Sequence, residues 1–548
     1  MTRRVPVVDL FAGPGGLAEG FAACRRPDGR RRYGIALSIE KDPVAHRTLL
    51  LRAFLRKFPN GFPAEYYDFL NGVVPEEPDW AKLSPGRWAA ACDETRCLEL
   101  GSYDASVFLR NRIEQIRADH GGRTVLLGGP PCQAYSVIGR SRNAGNAGYN
   151  ADEDDRQSLY EQYVDVLRRL QPAVAVMENV RGMLSAHRNG DLIFPEVIRR
   201  LRHTGGMDGY RLFALASRSG ARSWHDGMHP EDFLVNAEAH GVPQARHRVF
   251  AICVRADVAA ALAEEHLPRL EPDPDTVPLG VIVGAMPRLR SRLSRGDGPG
   301  AWQDAVRAAH AFIAANQPAM SNGEAARFRT ALARALATAN GSAPPCRNAS
   351  GETFLPAGCP QDLREWIFDP QLRTLPNNET RAHMAADLAR YLFAAAFGSA
   401  FRRSPKTFDF PVALMPGHAN WHTGNFDDRY RVQLPDRPCT TVTSHLSKDG
   451  HYFIHPDPGQ CRSLTVREVA RLQTFPDNYF FHGPRTQQYV QVGNAVPPFL
   501  AHQIALTIST VLDRHDRVGT RRVRVSGSSR RKPASAAREL PLLAMERT

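Results

Sequence analysis

The stretch PVVDLFAGPGG (6–16) runs a short apolar segment straight into a turn that carries three glycines. A continuous apolar run, rather than strict alternation, suits a strand covered on both faces. The pattern recurs at GIALSI (34–39), TVLLG (124–128), AVAVM (173–177), RLFALAS (211–217) and VFAICV (249–254), with more polar, helix-length segments between. This rhythm predicts an α/β fold on a doubly wound, mostly parallel sheet. One helix is explicit in SLYEQYVDVLRRLQP (158–172): Leu159, Tyr163, Val166, Leu167 and Leu170 line one side, and Pro172 stops it.

Chemistry-bearing residues fall where these runs end. Asp9 and Gly13 follow the first run, Glu40 ends the second, Cys132 follows the third and Glu178 ends the fourth. In an open α/β sheet, ligands bind beyond the carboxyl ends of the strands. Gly13, Gly15 and Gly16 permit a tight turn and close approach by a ligand. Glu40 is placed to accept ribose hydroxyls, so the pair suggests an adenosine-containing cofactor. The loop is neither GxGxxG nor GxxxxGK[ST], which disfavours NAD and ATP.

Cys132 in TVLLGGPPCQAYS (124–136) is more often a buried structural residue when it stands alone; exposure beside a cation would make it a nucleophile. Glu178 in VAVMENV (174–180) ends an apolar run, where burial favours a proton that it can donate to a ring nitrogen. The alternative is a turn acid. Asn179 is placed to orient it. In PQARHRVF (243–250), Gln244, Arg246 and Arg248 alternate, so the arginines share a face and suit phosphate or developing negative charge. A solvated strand face is the alternative.

The chain has 548 residues, enough for two or more domains, and a formal charge of +13. That excess favours a polyanionic partner, although solvation alone also accounts for it. Nine scattered cysteines give no disulfide framework, and Cys346 and Cys359 are too isolated for a metal knuckle. There is no secretory h-region and no apolar run of transmembrane length, so a cytoplasmic setting is expected. Residues 1–264 read as a catalytic and cofactor-binding domain and 265–436 as a smaller irregular domain. Residues 437–516 read as a returning segment and 517–548 as a basic flexible tail. Within the returning segment, Thr465 and Glu468 form a capping box, Val469 and Leu472 face a core, and QVGNAVPPFLAHQIALTISTVLDRH (491–515) begins as a polar turn before an apolar helix.

In order, DLFAGPGG (9–16), Glu40, GGPPCQAYS (128–136), MENV (177–180), QARHR (244–248) and QVGNAVPP (491–498) resemble the C5-cytosine-specific DNA methyltransferase family, of the prokaryotic modification type. The resemblance implies a sheet of the S-adenosylmethionine-dependent methyltransferase type with a target-recognition domain at 265–436, supported by RPCTTVTSHLSKDGHYFIHP (437–456). S-adenosyl-L-methionine would be the cofactor, with Phe11 against adenine, Gly13, Gly15, Gly16 and Leu17 around the amino acid part and Glu40 on the ribose. Pro131, Leu159, Asn494 and Val496 would complete the pocket. Glu99 or Leu100 in CLELG (97–101) would replace the acid that the family usually offers as a further adenosine contact.

The same resemblance makes Cys132 the nucleophile toward C6 of a flipped cytosine, Glu178 the acid at N3 and Arg248 the cation near O2, with Arg246 in support. The loop VIGRSRNAGNAGYNADEDDRQSLY (137–160) would move over the base, Arg140, Arg142 and Arg156 meeting phosphates, and Gln133 and Ser136 ordering the loop. No role follows for His418, Asn420, Trp421 and His422 in GHANWHTGN (417–425); a turn packed on Trp421 is expected. The partners implied are double-stranded DNA and a separately encoded restriction endonuclease or defence-system protein. No membrane or metal is expected, and the chain would act as a monomer at the nucleoid. The cofactor motif at Asp9 implies a compact enzyme without an N-terminal regulatory region. Two other readings use the same residues: an RNA cytosine C5-methyltransferase, and a catalytically silent DNA-binding protein on this fold.

Overall fold

The computed structural model describes residues 4–131, 158–188, 191–205, 209–216, 228–262, 267–348, 358–416 and 427–528. Its centre is an eight-stranded sheet. Strands β1 (Val5–Leu10), β2 (Tyr33–Glu40), β3 (Thr95–Cys97), β4 (Val125–Gly128) and β5 (Val174–Val180) pair in parallel in the order β3-β2-β1-β4-β5. Beyond β5, β6 (Tyr210–Phe213) and β7 (Leu234–Asn236) both pair antiparallel with β8 (His247–Arg255), which itself runs antiparallel to β5. The expected RLFALAS strand therefore stops at Phe213, because β7 takes the next stretch of β8.

The apolar runs feed two cores at once. On one face, Val5, Val7, Val125, Leu127, Val174 and Val176 meet helix α1 (Gly16–Ala23) and the terminal helix. On the other, Val8, Leu10, Leu126, Ala175 and Met177 meet the helices at Tyr103–His120 and Ser158–Leu170. This double burial explains why the strands lack polar alternation. Asp9 and Glu178 sit inside β1 and β5 rather than after them. Asp9 pairs with Ser38 and Leu127, and Glu178 with Phe250.

Between β2 and β3, helix α2 (Pro43–Leu55) leads into three short helices, α3–α5 (Ala64–Leu70, Trp80–Leu83, Pro85–Glu94). Their aromatic cluster includes Phe54, Tyr66 and Trp80, and it reaches the second half of the chain through Tyr66 Oη donating to Asn478 O at 2.6 Å. There, three helices (Pro299–Ala315, Asn322–Asn340 and Ala385–Phe401) share one core. Asn322–Asn340 begins directly after Ser321 because Ser321 and Glu324 form a capping box.

Two helical expectations change near the C-terminus. The segment expected to open as a polar turn at Gln491 is instead the end of a helix, Arg485–Asn494, and the turn falls at Ala495–Pro497. The terminal helix, Pro498–Ser528, runs past residue 517, where a flexible tail was expected, since no proline interrupts it before Pro533. Residues 485–517 also contain an 18-residue window of mean hydropathy 1.4, long and apolar enough by composition to cross a membrane, contrary to the sequence reading. That window is 67% buried within the protein, so core packing accounts for its apolarity.

Candidate active site

Strand ends deliver side chains to one cavity of about 730 Å³, a size that suits a small-molecule ligand. Beyond β1 the chain turns sharply: Phe11 takes a left-handed backbone (φ 56°), and Gly13 and Gly15 follow at 57° and 101°. Phe11, Gly13, Gly16 and Leu17 line the cavity, but Gly15 does not. Gly15 shapes the turn as the cap of α1, and a Cβ there would lie 2.9 Å from Leu49 Cδ1.

The Glu40 carboxylate accepts from Gly13 N and Asp42 N, both at 2.8 Å, which fastens the glycine turn to the end of β2. Burial pushes this carboxyl up, and the two amides oppose the shift. Beyond β3, Leu98, Glu99 and Leu100 form a rim, with exposed Glu99 paired to Lys41 Nζ at 3.1 Å. Beyond β4 come Gly129, Pro130 and Pro131, and Leu159 also lines the cavity.

Glu178 and Arg248 are diagonal neighbours across the β5–β8 ladder, Arg248 standing opposite Val180, and Arg248 Nε lies 3.0 Å from Glu178 Oε1. Both side chains are largely buried and both line the cavity. Gly129 makes room for the carboxylate, since a Cβ there would sit 2.8 Å from Glu178 Oε2. Asn179 does not orient Glu178 as expected. The strand turns it away, and its side chain donates to Pro130 O at 3.4 Å and accepts from Val180 N at 2.7 Å. Arg246 lines the cavity too and donates to Val442 O at 2.8 Å and Gly493 O at 3.2 Å. Burial pushes both guanidiniums down; at Arg248, Glu178 opposes the shift.

The opposite wall comes from the far end of the chain. Gln487, Gln491 and Asn494 lie along helix Arg485–Asn494, and Val496 follows in the turn. This wall closes against α1 where side chains are absent: a Cβ on Gly16 would meet Val496 O at 2.3 Å, and one on Gly20 would meet His502 N at 2.5 Å. Thr443, Ser444 and His445 complete the lining. Sequence reading did not single out these three, nor Lys41, Asp42, Gln487 and Gln491. Thr443, Ser444, His445 and Gln491 lie within the 437–456 and 491–498 segments, and Lys41, Asp42 and Gln487 close to Glu40 and to the second of these segments.

The residues present fit a cofactor that carries both adenosine and an amino acid group. A half-buried acid ends β2 beside a glycine turn, the placement that suits a ribose. The Nε2 of buried Gln491 donates to His482 O at 3.0 Å, while its Oε1 has no hydrogen-bond partner among the described residues. A cavity-lining acceptor without a donor suits a ligand bearing N–H groups. Cys132, Gln133, Ser136, Arg140, Arg142 and Arg156, and the segment with His418, Asn420, Trp421 and His422, lie outside the described residues.

A mostly parallel sheet with a ligand cavity at its carboxyl edge is the architecture of the methyltransferase class. A prophage-encoded Escherichia coli structure described as a DNA modification methyltransferase shares the fold, at 17% identity and TM-score 0.50 over 93% of this chain and 99% of that one. The C-5 cytosine-specific DNA methylase profile matches residues 110–510, and the chain belongs to that family. Similar curated proteins include the type II methyltransferase M.Bpa9945I of Bacillus paralicheniformis, 28% identical over 93% of this chain and 99% of the relative. The type II methyltransferase M.DdeI of Desulfomicrobium norvegicum is 25% identical over 92% and 88%, and the DNA (cytosine-5-)-methyltransferase M.ApeKI of Aeropyrum pernix 26% identical over 93% and 99%.

Proposed function

We propose that this chain is a DNA (cytosine-5-)-methyltransferase that modifies a cytosine flipped out of a specific double-stranded DNA sequence, with S-adenosyl-L-methionine as donor. The observation that carries this reading is the Glu178–Arg248 pair on the same cavity wall system as the glycine turn and Glu40. The donor supplies a methyl group on a positively charged sulfur. Phe11 offers a face for its adenine, Glu40 takes the ribose hydroxyls, and Gly13, Gly16, Leu17, Asn494 and Val496 surround the amino acid part. Glu99, Leu100, Pro131 and Leu159 close the remaining sides.

The Cys132 thiolate adds to C6 of the pyrimidine, and negative charge spreads over N3 and O2. Glu178 holds a proton at N3, and Arg248, steadied by Arg246, opposes the charge at O2. C5 thereby becomes nucleophilic enough to accept the methyl group, whose bond to sulfur would break to leave the donor as its neutral thioether. Loss of the C5 proton then expels the thiolate and restores the ring. The ring edge is unreachable within a duplex, so the base must leave the stack. The +13 charge suits the phosphate backbone. The type II names of the relatives support a modification role beside a separately encoded restriction endonuclease, in a cytoplasmic setting.

The test incubates the purified chain with labelled donor and either duplex DNA or transfer RNA. Incorporation into DNA is expected; incorporation into RNA alone overturns the DNA reading. Duplexes containing 5-fluorocytosine should trap the parent covalently and leave Cys132→Ser free. A trapped Cys132→Ser protein would refute the assigned nucleophile.

A further inference from the structure

Gln473 and Thr474, in RLQTFPD (471–477), do not line the cavity, yet they grip the chain that forms its far wall. Gln473 is fully buried. Its Nε2 donates to Val492 O at 2.8 Å and to Ala495 O at 2.9 Å, and its Oε1 accepts from Gln244 Nε2 at 2.7 Å. Gln244 in turn accepts from Val442 N at 2.7 Å. With the bond from Arg246 to Gly493 O, the carbonyls of Val492, Gly493 and Ala495, which bracket Asn494, are all held by Gln473 and Arg246.

Thr474 carries the grip past the turn. Its Oγ1 accepts from Phe499 N at 3.1 Å, and its carbonyl accepts from Trp366 Nε1 at 2.8 Å. Its backbone sits at φ 61°, a region that β-branched residues rarely enter and that surrounding contacts must enforce. The chain is thus fixed on both sides of the Ala495–Pro497 turn. The same network reaches Gln244 and Arg246, which immediately precede β8 and its Arg248.

We propose that Gln473 and Thr474 are positioning residues that hold Asn494 and Val496 in register with the arginine run, so that the cofactor and base halves of the cavity form together. The proposal rests on the functional reading above. It is tested on the full chain by calorimetric binding of S-adenosylhomocysteine, together with steady-state KM and kcat and a thermal melt. Gln473→Met keeps the bulk but removes the three hydrogen bonds to Val492 O, Ala495 O and Gln244 Nε2, and should raise the dissociation constant about tenfold or more. Thr474→Val keeps the β-branch but loses the Oγ1 acceptor, and should raise it roughly fivefold, whereas Thr474→Ser restores binding to within about twofold of the parent.

A purely structural role would lower the melting temperature and the folded fraction without changing the affinity or the cofactor KM of folded protein. Unchanged affinity in Gln473→Met and Thr474→Val overturns the proposal, as does a Ser variant as weak as the Val variant. If Gln473→Met does not fold, the Thr474 pair decides alone. A parent that fails to bind S-adenosylhomocysteine sinks the functional reading itself, whereas unchanged variants of a binding parent sink only the positioning role.

Discussion

The two walls of the cavity are built by different physics. The strand-edge wall, with Phe11, Glu40, Gly129 and Glu178, inherits its geometry from the parallel ladders, where register is set by backbone hydrogen bonds. The returning wall, with Gln487, Gln491, Asn494 and Val496, lies more than 440 residues beyond the Glu40 strand and is held by side chains bonded to backbone carbonyls. A ladder tolerates replacement of most single side chains. A wall held by a few buried amides and one guanidinium does not, because each lost partner leaves a buried polar group unsatisfied.

The largest expected effect falls on the strand-edge wall, at its buried Glu178–Arg248 pair. Arg248→Ala strands the Glu178 carboxylate and removes the cation near the base, so methyl transfer should fall by about a thousandfold or more. Rates of labelled methyl incorporation check this; activity within tenfold of the parent would show that the pair is not part of the chemistry. Next comes the seam between the walls. In Gly16→Ala the new Cβ meets Val496 O at 2.3 Å, and S-adenosylhomocysteine affinity should drop roughly ten- to a hundredfold, corresponding to the 1–3 kcal/mol typical of overpacking. One turn along, Gly20→Ala presses on His502 N at 2.5 Å, outside the cavity. It should lower stability by a similar 1–3 kcal/mol, read as a shifted denaturation midpoint, with much less effect on affinity. Equal affinity losses in both variants would mean that the seam moves as one body and that the distinction between the walls fails there.

The same contrast explains what the sequence made legible. Strands, the glycine turn, Glu40 and the approach of Arg246 and Arg248 to one face follow from local patterns of apolar runs and alternation. At Gly15 sequence shows that a glycine bends the chain, but not that a Cβ there would press on Leu49. Asn179 was misassigned because the strand pleat sends consecutive side chains to opposite faces. Gln473 was silent because its partners lie at Gln244, Val492 and Ala495, separations that no local pattern encodes. The extended terminal helix was missed because an arginine-rich stretch reads equally as tail or helix until its neighbours are known.

The smallest effect on methyl transfer is expected at Asp9, whose signal is in stability and which tests whether the ladder alone fixes the strand-edge wall. Asp9 is fully buried within β1, and neither carboxylate oxygen has a hydrogen-bond partner among the described residues. Burial pushes its carboxyl up to about 7, Arg56 opposing and Glu40 adding to the rise. The native state therefore keeps a proton between about pH 4 and pH 7 that the unfolded chain releases. The sign follows: this contribution to stability is complete below the unfolded value of about 4 and is lost as pH rises through about 7, at no more than about 1.4 kcal/mol per pH unit. Asp9→Asn cannot titrate, so its denaturation midpoint should fall less than the parent's between about pH 5 and pH 8. Glu40, shifted in the same direction by burial, leaves a residual slope in both proteins. An Asn variant with the parent's full pH dependence would show that Asp9 is ionised and paired in solution, and that a side chain, not the ladder alone, sets the strand from which Phe11 and the glycine turn depart.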